Sequence, residues 1–154
     1  AVGAEIDRLM GIHGKRSVDS IHKELGHIMW EYVGMGRTAE GLKTGLDKIK
    51  KLRKEFETNL FIPGTKEGLN TELDKAIHLR DFITMGELIA YDESCGGHFR
   101  EEYQTEEGEA KRDDENYFYV GCWEYQGSDE KAPELIKEPL EYEAIKVQTR
   151  NYKD

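Results

Sequence analysis

Two cysteines and three prolines are all that 154 residues contain of either. Cys95 and Cys122 are too few for a disulfide scaffold, and neither lies in a C-x-x-C pair, so a reducing compartment is the default expectation. Positive charge is also short: 22 basic residues face 32 acidic ones, leaving a formal net charge of -10. That balance argues against a general nucleic-acid binder and against docking on anionic lipid. No apolar run approaches the roughly 20 residues of a membrane-spanning helix, which leaves no direct membrane insertion. No signal-peptide pattern opens the sequence. H-E-x-x-H, G-x-S-x-G and GK[ST] are missing, and with them the simplest zinc-hydrolase, nucleophile-elbow and phosphate-loop readings. What is present is 37% apolar and 35% charged residues at a mean hydropathy of -0.77, enough for one modest core. A start at Ala1 rather than Met gives the expectation of a processed or excised segment of something longer.

The first 90 or so residues carry helical periodicity. Ile6, Leu9 and Met10 share one face of a short piece that Gly11 and Gly14 interrupt. Ser17 is a plausible N-cap for a helix with a stripe of Val18, Ile21, Leu25, Ile28, Met29 and Tyr32, ended by Gly34 and Gly36. Thr38 can cap the next, with Leu42, Leu46, Ile49, Leu52 and Phe56 inward and a lysine-rich face outward. Asn70 caps a third, expected to run to about Tyr91. Its second half, with Phe82, Ile83, Leu88 and Ile89, is apolar on most sides, so this helix is expected to be the most buried of the three.

These patterns predict a mainly α protein: an antiparallel three-helix bundle of spectrin-repeat type over residues 1–92, then residues 93–154 as an acidic loop and extended tail with a small β element packed on the bundle. Tyr117 to Tyr125 reads as a strand. Leu140 to Val147 reads as a second, with a change of phase between Ala144 and Ile145; the two could pair as a ribbon, or each could lie on a partner surface.

Most candidate motifs fail on context. Gly34-Met35-Gly36-Arg37-Thr38-Ala39 fits G-x-G-x-x-A, but a helix precedes it rather than a strand, so a helix–helix turn is expected and no nucleotide site. The histidines at 13, 22, 27, 78 and 98 have no metal-ligand spacing. The acidic run Glu101, Glu102, Glu106, Glu107, Glu109, Asp113, Asp114 and Glu115 does not match an EF-hand loop and reads as solvated surface; no metal site is expected. One segment stands apart: Glu93-Ser94-Cys95-Gly96-Gly97-His98-Phe99-Arg100. Its glycines permit irregular backbone, and His98 and Arg100 point the same way if extended. Such a loop could set an imidazole and a cation against a carboxylate, phosphate or carbonyl. Its chemistry alone favours a simpler state in which Arg100 pairs with nearby acids.

Glu93, Ser94, Gly96, His98 and Arg100 match the E-S-R-G-x-H-x-R motif of the flavoprotein subunit of succinate dehydrogenase and fumarate reductase. Arg112-Asp113-Asp114-Glu115-Asn116 resembles the R-D-D-x-N stretch that follows in that family. Leu25-Gly26-His27-Ile28-Met29, the turn from Gly34 to Arg37 and the closing stretch from Leu140 to Tyr152 are similar too, so the resemblance covers nearly the whole chain. L-aspartate oxidase has a related C-terminal region. Two departures stand out: Cys95 replaces the motif's arginine, and Gly97 its alanine.

The resemblance implies the C-terminal domain of a larger subunit that interconverts succinate and fumarate. The FAD domain, the capping domain, the flavin-attaching histidine and the substrate-binding residues would lie upstream. No catalytic, cofactor-binding or metal residue is then expected in this segment, and FAD would belong to the parent subunit only. Glu93, Ser94, Gly96, His98, Arg100, Arg112, Asp113 and Asp114 are expected at an inter-domain or subunit contact. Implied partners are the FAD and capping domains, an iron-sulfur subunit and a membrane anchor, with the assembly peripheral on the cytoplasmic side of a membrane. His98 and Arg100 in the segment alone should be exposed or paired only with local acids. The alternative is a free-standing helical interaction module that uses Tyr117, Phe118, Tyr119, Trp123 and Tyr125 as an exposed patch.

Overall fold

Polar side chains at the turns set where the helices begin. In the computed structural model, which describes residues 2–89, 98–127, 131 and 133–148, α1 (Val2–Met10) is followed by the two-residue strand β1 (Arg16–Ser17). Ser17 Oγ accepts from the Ser20 amide at 3.2 Å and starts α2 (Val18–Tyr32). After β2 (Gly36–Arg37), Thr38 Oγ1 accepts from the Gly41 amide at 3.0 Å and starts α3 (Ala39–Asn59). β3 (Leu60–Phe61) leads to Asn70, whose Oδ1 accepts from the Leu73 amide at 3.0 Å at the head of α4 (Thr71–Ile89). Then come β4 (Phe99–Arg100), the single turn α5 (Asp114–Tyr117), β5 (Tyr119–Glu124) and β6 (Glu134–Pro139).

The three long helices form the expected antiparallel bundle. β1 pairs in parallel with β3, Arg16 with Leu60 and Ser17 with Phe61, which sets the start of α2 beside the end of α3. Lys75 Nζ lies 3.1 Å from Asp19 Oδ1, so α2 and α4 start at the same end. The apolar stripes meet as a core of Ile21, Leu25 and Ile28 from α2, Ile49, Leu52 and Phe56 from α3, and Ala76, Leu79 and Ile83 from α4, with Leu9 of α1 beneath. Gly86 lets three side chains close in on α4: a Cβ there would stand 3.2 Å from Met29 Sδ, 3.5 Å from Ile49 Cδ1 and 3.6 Å from Leu25 Cδ1. Arg53 of α3 forks onto Glu87 of α4, Nε to Oε1 at 3.0 Å and Nη2 to Oε2 at 2.9 Å. Arg80 of α4 reaches Glu5 of α1 at 3.1 Å.

α4 buries Leu73, Ala76, Leu79, Ile83 and Gly86, while Phe82 and Met85 stay 46% and 54% exposed, with His22 of α2 stacked on Phe82 at 5.6 Å. One expectation is corrected. The ribbon partner of β5 is β6, not Leu140 to Val147. Six antiparallel pairs run from Tyr119–Pro139 to Glu124–Glu134. Pro139 sits at the terminal pair, where its missing N–H costs no interior ladder bond. Residues 140–148 form no strand, consistent with the broken alternation in that stretch.

Candidate functional site at the β2–β4 junction

The end of the family motif is held against the turn between α2 and α3. β4 pairs in parallel with β2, Gly36 with Phe99 and Arg37 with Arg100. The Phe99 amide donates to Met35 O at 3.1 Å and the Glu101 amide to Arg37 O at 2.8 Å. This register brings Arg37 and Arg100 together, and each is only 2% exposed.

Two buried guanidiniums repel and both lose hydration. Burial first, and the Arg100 charge second, push Arg37 below the usual arginine range. Three features offset the cost. Arg37 Nη1 donates to the Ile89 carbonyl at 3.0 Å, at the negative end of α4. Arg37 Nη2 meets His98 Nδ1. Arg100 Nε donates to Glu102 Oε2 at 3.1 Å, with its guanidinium 4.9 Å from the centre of the Tyr103 ring. Glu102 Oε1 also accepts from the Ala39 amide at 2.7 Å, at the positive end of α3. That amide, then the backbone amide of Glu102 itself and Arg100, hold the Glu102 carboxyl below its ordinary range. Arg37 Nε is buried without a hydrogen-bond partner among the described residues.

The expected site residues are divided. Glu93, Ser94 and Gly96, with Cys95, lie outside the described residues. His98 is exposed and stands in this junction. Arg100 is buried and pairs with a local acid, Glu102, which is the second of its two expected states. Arg112, Asp113 and Asp114 build a local turn. Arg112 closes on Asp114 Oδ1 at 2.7 Å, and Asp113 caps α5 by accepting from the Asn116 amide at 3.2 Å. Arg37 is the residue that reading the sequence missed. Its signal was present, since the Gly34-to-Arg37 turn belonged to the resemblance, but a lone arginine between helices reads as surface.

The nucleotide fingerprint fails on geometry as well. In a working dinucleotide site the helix N-terminus receives a pyrophosphate. Here the Glu102 carboxylate fills that place at Ala39, and Arg37 of the same turn is buried behind it. A negatively charged cofactor therefore does not fit this turn. No group of three or more His, Cys, Asp or Glu side chains that could hold a metal ion exists among the described residues. No helix there is long and apolar enough to cross a membrane. The junction's groups donate hydrogen bonds and bridge charges, which holds these elements together.

The described residues thus form a helical bundle with an arm tied to it through β4. The chain belongs to the family of fumarate reductase flavoprotein C-terminal domains, whose profile matches residues 22–152. It is 30% identical over 147 residues to the fumarate reductase flavoprotein subunit of Proteus vulgaris, covering 92% of this chain and 23% of that protein. It is 37% identical over 92 residues to the chloroplastic L-aspartate oxidase of Oryza sativa subsp. japonica, covering 58% of this chain and 14% of that protein. Among solved structures, quinol-fumarate reductase with menaquinol molecules superposes with a TM-score of 0.76 at 25% identity, over 94% of this chain and 25% of that one. The Mycobacterium smegmatis Sdh1 complex in its apo form shares the fold, with a TM-score of 0.73 at 20% identity over 92% of this chain and 24% of that one. The chain thus spans about a quarter of the length of these fumarate reductase and Sdh1 chains.

Proposed function

We propose that this chain is the C-terminal packing domain of an FAD-dependent flavoprotein subunit that interconverts succinate and fumarate. The observation that carries the reading is the family match over residues 22–152, on a fold whose only fingerprint turn is closed by its own carboxylate. In this reading the flavin and the catalytic groups belong to upstream domains. This domain covers the flavin-binding body, and the segment from Glu93 to Arg100 lies at that contact. The assembled subunit would work with an iron-sulfur subunit on a membrane anchor, peripheral to the cytoplasmic face.

The test is a flavin absorbance spectrum of the purified 154-residue chain, run beside a succinate-to-dye reduction assay. The expected result is a folded protein with no flavin band and no turnover. Stoichiometric flavin on this chain overturns the reading. So does a gene with no flavin-binding domain in frame upstream, which would favour a free-standing interaction module. The identity to L-aspartate oxidase supports a second reading, the equivalent domain of that enzyme. Assaying the full-length subunit with L-aspartate beside succinate separates the two.

A further inference from the structure

We propose that Arg37 is a positioning residue that fixes His98 as the neutral Nε2–H tautomer, so that the ring offers a partner a hydrogen-bond donor. The argument is one of inventory. A guanidinium carries five N–H donors and no acceptor, and it stays protonated in proteins. The nitrogen of His98 that faces Arg37 is Nδ1. Nδ1 must therefore accept, and the ring proton must sit on Nε2.

Arg37 cannot turn away to relax this demand. Its backbone is pinned in β2 against β4, its Nη1 is held by the Ile89 carbonyl, and the side chain is 2% exposed. His98 immediately precedes β4, so the same pairing that buries Arg37 delivers the imidazole to it. The residue is exposed, and among the described residues its side chain makes one hydrogen bond, the contact with Arg37. Nε2 is thus the nitrogen available to whatever docks here. A partner meeting that edge has to bring an acceptor oxygen, a carbonyl or a carboxylate, and one that brings an N–H is mismatched. This goes beyond the packing role above, and its test needs only this chain, so either can fail without the other.

The measurement is a long-range proton–nitrogen correlation spectrum of the 15N-labelled 154-residue chain at about pH 8, above the ordinary histidine value of about 6.5. His13 and His27, both exposed, serve as internal references. The expected result is a bare Nδ1 and a protonated Nε2 at His98, with averaged tautomers at the references. Arg37→Met should shift His98 toward the reference pattern, and Arg37→Lys, which keeps a cationic donor, should restore the Nε2–H form. An Nδ1–H pattern at His98, or the reference pattern in the unaltered chain, overturns the proposal. So does a His98 spectrum unmoved by Arg37→Met, since Arg37 would then only cap α4. If Arg37→Met fails to fold, the unaltered chain and Arg37→Lys still decide.

Discussion

Glu102 does two jobs with one carboxylate: it accepts from the amide that opens α3 and it neutralises a buried arginine. Its carboxyl is held low by the Ala39 amide, and Glu5 is held low by Arg8 and then Arg80. Both shifts have the same sign for folding. A depressed carboxyl adds stability that is fully present above the ordinary glutamate value of about 4.3 and is lost as pH falls through the lower folded-state value. Urea midpoints measured from about pH 6 down to about pH 3 should fall, and the Glu5→Gln, Glu102→Gln double variant should fall less steeply. An equal slope in both would show that other carboxylates carry the acid sensitivity. At this scale the sequence was legible where a side chain serves its own helix. Ser17, Thr38 and Asn70 announce themselves as caps by position. Arg37 and the bond from Ala39 to Glu102 were not legible, because those partners lie 52 and 63 residues apart.

Between helices, spacing decides what a residue can become. Gly86 faces only side-chain tips, the nearest being a flexible methionine sulfur at 3.2 Å. Gly86→Ala should be close to neutral, because a helix-propensity gain of up to about 1 kcal/mol offsets the squeeze. Gly86→Leu should cost about 1–3 kcal/mol by overpacking. Gly14 is the harsher case, since a Cβ there would fall 2.0 Å from the Asn59 carbonyl carbon. Gly14→Ala must break the β1–β3 clasp and should cost about 3 kcal/mol. Denaturant unfolding of the three variants checks the order. The stripes of α2 and α3 were readable because one apolar face met one core. α4 carries extra apolar residues, Phe82 and Met85, that stay about half exposed. The ribbon misled because alternation identified β5 but could not choose its partner.

For the molecule as a whole, we propose that residues 1–92 fold as the stable unit and that residues 93–154 are an arm laid against it. Of the β5–β6 ribbon only Tyr119 and Leu135 are even half-buried, whereas Ile21, Ile49, Ala76 and Ile83 at the bundle centre are fully enclosed. Native-state hydrogen exchange should therefore show ribbon amides opening at far lower free energy than those of α2–α4. Equal protection throughout would mean that the arm and the bundle unfold together.

The two short clasps also bear on the order of folding. Each joins distant positions, Arg16 with Leu60 and Arg37 with Arg100, through only two residue pairs. Closing such loops in a flexible chain costs entropy that a two-pair ladder does not repay. Once the helices have packed, the same ends already lie side by side. The clasps are thus late events, formed on the native side of the transition state. Phe99→Ala should leave the refolding rate nearly unchanged and speed unfolding, and stopped-flow kinetics across a range of urea would measure both limbs.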